Sequence, residues 1–505
     1  MKKQSMLACF LVIGTAACAQ KASTPLKRSA ATSYAETITP SKLKKHLYIV
    51  AGDEMEGRET GKPGQYKAAK YIIEQFKAAG LQPGAGNGEW EQPFSLMQDS
   101  LQRSTIQAGG KTFTFGQEFY ASVKDAANQQ LGATSAVFAG FGVTTEANDP
   151  YKGVTATDKI VVIADEEPGK KGAPITERLR NAANHGAVAV FVVSERNNLG
   201  GRGGSRMRRT GLYWPMMKTM EYIPNCYFVA PDVAAAIFGK PWSELQAAAK
   251  AGNSTPATGE VTSLEFSKGT EEIKSSNVLG ILPGTDLKDE YVFLTAHYDH
   301  VGIINGQIHN GADDDGSGTV AVIAMADAFM KAKKAGKGPR RTVVFMTVSG
   351  EEKGLLGSQY YTDHPIYPLE QTVTDLNIDM IGRIDDEHKK DTNYVYIIGD
   401  DKLSSDLRPI SEAANKHTGL KLDYKYNDPN DPNRFYYRSD HYMFAQHKIP
   451  IIFYFNGVHE DYHRPGDKPD KIHYNLLAKR AKLVFYTAWE VANRASRLKV
   501  DRNEK

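Results

Sequence analysis

Residues 291–300 read YVFLTAHYDH. An apolar run without polar alternation suits a strand buried on both faces of a sheet, and this one closes on His297 and Asp299. The same form recurs in TVVFMTVSG (342–350), LNIDM (376–380), YVYIIGD (394–400) and IPIIFYFN (449–456). Helical periodicity fills 317–335, 404–417 and 475–496. Buried strands alternating with helices predict an α/β fold, with a mostly parallel central sheet flanked by helices. Ligands of such sheets bind beyond the carboxyl ends of the strands, which is where the polar residues of this chain fall.

Five segments at those ends carry metal-type ligands. His297 and Asp299 close the first strand, and Asp313, Asp314 and Asp315 open a helix in GADDDGSG. Glu351 and Glu352 follow a strand in SGEEKGLLGS, Asp379 ends a strand in NIDMIG, and Tyr462, His463 and Asp467 lie in DYHRPGD. Each segment has an ordinary explanation: a hydrogen-bonded surface histidine, helix-capping aspartates, a solvated turn. Together they place two imidazoles and three carboxylates at one edge of one sheet. Carboxylates so crowded repel one another and resist ionisation unless a cation holds them. Mixed imidazole and carboxylate donors suit zinc or another first-row metal better than calcium or magnesium. A shared carboxylate would give two ions three ligands each, an arrangement able to clamp a carbonyl and a hydroxide together. One more carboxylate is then needed to take a proton from water, and adjacent Glu351 and Glu352 are the pair to divide these roles.

Outward from this core, the 505 residues suffice for two or three domains. The balance of 62 Lys and Arg against 59 Asp and Glu predicts no nucleic-acid partner. Lys2 and Lys3, the apolar MLACFLVIG and the small residues TAACAQ form a secretory signal over 1–19. Cleavage after Ala19 would release the chain, whereas lipidation of Cys18 would attach it to a membrane. The expected destination is therefore export, as a periplasmic, outer-membrane lipoprotein or secreted form. Residues 20–33 read as a flexible tether, and 34–129 as a first part of the catalytic domain. Residues 130–265 hold a smaller α/β unit of their own, with KIVVIA, ITERLRNAANHGA, VAVFVV and CYFVA alternating strand and helix. The main α/β series occupies 266–505. Cysteines at 9, 18 and 226 make no disulfide framework.

The chain resembles the di-zinc aminopeptidases, metallopeptidase family twenty-eight, in a secreted form with an inserted protease-associated domain. The likeness rests on EMEGRETGKPGQYKAAKYI (54–72), GLQPGAGNGEWEQPF (80–94), SSNVLGILPGTD (275–286), RSDHYMFAQHKIP (438–450) and the five clusters in order. DKIVVI and RLRNAANHGAVAVFVV resemble the protease-associated domain. The resemblance implies a zinc-exopeptidase fold and two zinc ions per chain. It implies that His297 and Asp379 hold one ion, Glu352 and His463 the other, and that Asp314 bridges them. Glu351 is then the general base, Asp299 orients the His297 imidazole, Tyr462 stands where some relatives have an oxyanion-stabilising phenol, and Asp313 and Asp315 are structural. The implied reaction is hydrolysis of N-terminal peptide bonds by a zinc-bridging hydroxide, with a peptide as substrate and no obligate protein partner. A carboxypeptidase of the same fold would need a basic pocket, for which Arg202, Arg206, Arg208 and Arg209 are candidates. A glutaminyl cyclase would use one zinc, and a lipid-anchored binding module would leave the ligand set unexplained. Phe435, Tyr436 and Tyr437 are candidates for the substrate pocket wall.

Overall fold

The computed structural model describes residues 28–144, 149–165, 173–195, 207–215, 222–250 and 257–503. The signal segment, Cys9, Cys18 and residues 20–27 of the expected tether lie outside the described residues. The chain divides into two compact units, one of residues 1–92 with 276–505 and the other of 93–275.

In the first unit the sheet order is 421–423, 394–398, 451–455, 372–378, 287–297, 341–348 and residues 276–282 of the strand 263–282. The four strands from 451–455 to 341–348 are mutually parallel. Strands 394–398 and 263–282 join this block antiparallel. The expected parallel sheet is thus its centre. Every residue of Arg341–Val348, Thr372–Ile378 and Ile451–Phe455 is buried, so these strands are covered on both faces.

Side chains alternate across the pleat. Val292, Leu294, Val343, Phe345 and Ile452 pack with the helices Pro40–Val50, Pro63–Ala79, Gly316–Lys334 and Tyr474–Asn493. Phe293, Val344, Met346 and Phe453 pack on the other face with Tyr361, Phe435 and Phe444. The helix Arg28–Ala35 takes up the end of the stretch expected as tether. Ala31 and Ala35, one helical turn apart, are buried in the same core, and Tyr34 stacks on Trp489 at 5.9 Å.

The second unit has a sheet ordered 258–261, 134–138, 160–164, 189–193, 225–229 and 119–120, parallel through its middle four strands. The helix Ile175–Asn184 follows strand 160–164, as its sequence predicts. This unit is wider than the expected 130–265. Ile106, Phe113, Phe115 and Phe119 before that range, and Phe266 just after it, are buried in the second unit's core. Their burial, rather than the α/β pattern, sets the boundary, and the first unit resumes at Ser276.

The helical layer of the first unit is anchored by Phe329. It is fully buried, with ring centroids 4.8 Å from Phe485, 5.7 Å from Trp489 and 5.9 Å from Phe345. Phe329→Ala is expected to lower stability by about 3–5 kcal/mol, read as a fall in the urea midpoint. Tyr48→Ala, on an exposed helix face, should change it by less than about 0.5 kcal/mol. A Phe329→Ala loss as small as that of Tyr48→Ala would refute this account of the core.

Candidate metal centre

The four parallel strands deliver their carboxyl ends to one place. His297 is the last residue of strand 287–297, and Asp379 follows strand 372–378 directly. Strand 341–348 leads through Gly350 into a single turn, Glu351–Lys353. Gly350 has φ 81, the left-handed backbone that lets the chain turn back at once and aim both glutamates at the sheet edge. The loop after strand 451–455 carries Tyr462 and His463.

Asp314 lies before the helix Gly316–Lys334, in a triplet whose flanking members are held by backbone donors. Asp313 Oδ1 accepts from Gly382 N–H at 2.6 Å. Asp315 Oδ1 accepts from Gly318 N–H at 2.8 Å and Met380 N–H at 3.1 Å. Asp467 in turn accepts from Asp313 N–H at 3.0 Å and Asp314 N–H at 3.1 Å. The Asp314–Asp315 peptide is cis. Asp313 Oδ2 lies 3.3 Å from His459 Nε2, whereas Asp314 turns its carboxylate to His297 and His463. Its Oδ1 lies 3.2 Å from His297 Nε2, and its Oδ2 lies 3.0 Å from His463 Nε2.

Around this carboxylate the remaining predicted residues gather. His297 Nε2 is 3.6 Å from Asp379 Oδ1 and 3.9 Å from Glu351 Oε2. His463 Nε2 is 3.0 Å from Glu352 Oε2. Asp299 stands behind His297 in a way the sequence did not suggest. Its main-chain oxygen lies 3.1 Å from His297 Nδ1, while its carboxylate is 3.8 Å away. That carboxylate accepts instead from Thr60 Oγ1 at 2.7 Å and from Glu351 N–H at 3.3 Å, tying the Glu351 turn to the strand end. The Tyr462 ring stacks on His463 at 3.9 Å, and its hydroxyl accepts from Arg438 Nη2 at 3.3 Å. Burial, with Asp314 and Glu352 nearby, pushes the Tyr462 phenol up, so it is a proton donor at neutral pH.

Burial pushes Glu351 well above the usual carboxylate range, reinforced by Glu352 and Asp379. Burial likewise raises Asp379. Asp314 moves the other way: burial opposes its charge, but His300, His297 and His463 outweigh that and hold it well below the usual range. Burial also opposes protonation of His463, yet Asp314 and Glu352 raise it to about 10. The cluster is short of positive charge. His297 Nε2, Asp314 Oδ2, Glu352 Oε1 and Asp379 Oδ1 are all buried without a hydrogen-bond partner. His297, Asp314 and Asp379 offer ligand atoms within 4.8 Å of one another, and so do His300, Asp314 and Glu352. Imidazole and carboxylate atoms left unpaired, converging and drawing protons, fit divalent cations.

Sequence reasoning missed three participants. His300 was visible in the first cluster yet carried no periodic signal. Thr60 and Arg58 sit in a glycine-punctuated loop with no metal-type pattern. Fully buried, Arg58 donates to the main-chain oxygens of Tyr298 at 2.7 Å, Val50 at 2.9 Å, Asn310 at 2.6 Å and Gly311 at 2.9 Å, so that it locks two ligand loops together. Beside the cluster lies a hollow walled by Met380, Phe435, Phe453, Phe455 and Val458, with Arg438 at its side. Of the three candidate aromatics only Phe435 lines it; Tyr436 and Tyr437 line a separate hollow with Lys402 and Arg434. Arg202 and Arg206 lie outside the described residues. Arg208 sits over the Phe115 ring at 5.6 Å and Arg209 lies 3.6 Å from Glu271, all within the second unit.

Residues 277–488 match the family model described as Peptidase family M28. A probable leucine aminopeptidase of Arthroderma benhamiae is 28% identical over 275 residues, covering 53% of this chain and 70% of that protein. A probable zinc metalloprotease of Pyrenophora tritici-repentis is 28% identical over 261 residues, 43% of this chain and 51% of that one. Among solved structures, the aminopeptidase from Aneurinibacillus sp. strain AM-1 aligns with a TM-score of 0.52 at 20% identity, over 94% of this chain and 100% of that chain, a likeness of fold. The chain is a metallopeptidase, and its residues 277–488 match peptidase family M28.

Proposed function

We propose that the chain is an exported aminopeptidase holding two zinc ions bridged by Asp314. One observation carries the reading: the two oxygens of the Asp314 carboxylate face separate imidazoles, with Asp379 beside one and Glu352 beside the other. In this reading His297 and Asp379 hold one ion and Glu352 and His463 hold the other. Zinc bound there supplies Lewis acidity toward the scissile carbonyl and a water acidic enough to be deprotonated near neutral pH.

The protein's own groups do the rest. Glu351 takes the water proton and returns it to the leaving amine; a carboxyl lifted by burial suits a group that must both accept and release a proton. Asp299 fixes the backbone of that turn. Tyr462, kept protonated and positioned by Arg438, donates to the developing oxyanion. Asp379 and Glu351 accept hydrogen bonds from a protonated α-amine, which selects free N-termini. The apolar hollow takes the side chain of the residue being released. Export rests on residues 1–19, with Cys18 as the site of membrane attachment if it is lipidated. The second unit is in this reading a protease-associated domain, supported by its parallel strands over 134–229.

Elemental analysis of active protein is expected to give two zinc ions per chain, in line with the two ligand groups, and chelation should abolish turnover. A value of one would overturn the bridged arrangement in favour of a single-zinc cyclase. Glu351→Gln is expected to lower kcat by about 100- to 10,000-fold while metal content stays at the wild-type level. Glu352→Gln should lose metal as well as activity, and equal metal loss in both variants would contradict this division. For substrate polarity, a peptide with a free N-terminus and an amidated C-terminus should be cleaved, and its N-acetylated counterpart with a free C-terminus should not. The reverse preference, lost in Arg208→Ala with Arg209→Ala, would make the enzyme a carboxypeptidase.

A further inference from the structure

His300 occupies the metal centre without having been assigned to it. Its side chain is fully buried, and its Nδ1 lies 2.8 Å from Glu352 Oε1 and 3.8 Å from Asp314 Oδ2. Despite the short approach, neither ring nitrogen makes a hydrogen bond of normal geometry, and Glu352 Oε1 has no hydrogen-bond partner either. A neutral imidazole donating to a carboxylate would not leave both groups unpaired. Atoms converging on a common cation would.

The ring is held in place from two sides. His300 N–H donates to Arg58 O at 3.2 Å, which fixes the backbone. Gly311 supplies the space: with φ +58, a Cβ there would sit 2.5 Å from His300 Cγ and Cδ2, so a larger residue would evict the imidazole. Glu352 is thereby caught between two imidazoles, Oε1 toward His300 and Oε2 toward His463. The two rings meet edge to face, with centroids 5.6 Å apart.

Building on the two-ion reading, we propose that His300 is a ligand of the second metal, which is then held by His300, His463, Glu352 and Asp314. The two positions become unequal. The first keeps three protein ligands, His297, Asp379 and Asp314, which leaves a position for water, while the second would have four. The second ion is accordingly the more tightly held.

The test uses the full-length zinc-loaded protein. Zinc-edge X-ray absorption counts the imidazoles bound per chain, and titration with a competing chelator gives each affinity. Wild type should show three imidazoles, and His300→Ala and His300→Gln two, with the tighter affinity reduced at least about 10- to 100-fold. Exposed His447→Ala should change neither value. The glutamine variant preserves polarity, and circular dichroism reports folding of both. An unchanged imidazole count in a folded His300 variant would overturn the proposal, even if affinity falls. One zinc per wild-type chain would instead overturn the two-ion reading, and the imidazole count of that single ion would still decide His300.

Discussion

Charge that cannot be left uncompensated governs this molecule. Asp299, Asp314, Glu351, Glu352 and Asp379 meet three imidazoles at one sheet edge, with little or no exposure for most of them. Taking an ion out of water costs several kcal/mol even after relaxation, so like charges this close are sustained only by partners. Some of those partners are backbone N–H groups, one is Thr60, and others are the imidazoles of His297 and His463. The surroundings are organised to make that demand local and specific.

The three consecutive aspartates illustrate how. Identical side chains acquire different work because the backbone around them differs. Gly382 N–H takes up one oxygen of Asp313, and Gly318 and Met380 N–H groups take up one of Asp315. Asp314, between them, receives no such donors on its carboxylate and is left to face His297 and His463. Asp467 fixes the loop from beneath by accepting from the Asp313 and Asp314 amides. Arg58 does the same from the other side, through five main-chain oxygens, that of Asp314 among them. A loop free to relax would let its carboxylates swing to water and lose their convergence.

The sheet contributes rigidity and aim. Four parallel strands packed on both faces end at the same level, so residues distant in sequence arrive together without flexible spacers. Placing ligands directly after buried strands leaves each few accessible directions. The hollow beside the cluster is built from the same strand ends, since Phe453 and Phe455 belong to the strand that leads to His463.

Much of this was legible in the residue order. Unbroken apolar runs announced buried parallel strands because a strand covered on both faces has no solvent side to mark with polar residues. The helix Gly316–Lys334 formed where its periodicity indicated, over 317–335. His297, Asp314, Glu351, Glu352, Asp379 and His463 stood out because ionisable residues are conspicuous beside apolar runs. Other features had no local signature. The second unit reaches Pro93 and Ser275 because Phe113, Phe119 and Phe266 are buried in its core, a fact about contacts rather than periodicity. The end of the presumed tether is helical because Ala31 and Ala35 are covered by partners far along the chain. Asp299 was expected to orient the His297 imidazole; in the structure its main-chain oxygen is the atom that approaches, and the carboxylate serves Thr60 and Glu351. His300 differs from a surface histidine only in what folds around it: Arg58 at its backbone, Gly311 against its ring and Glu352 before its Nδ1. The sequence by itself determined which chemical groups sit at the strand ends, because strand periodicity and ligand type are local properties. Tertiary structure alone decided which atoms of those groups face one another, because that depends on loops more than two hundred residues apart closing on the same few ångströms.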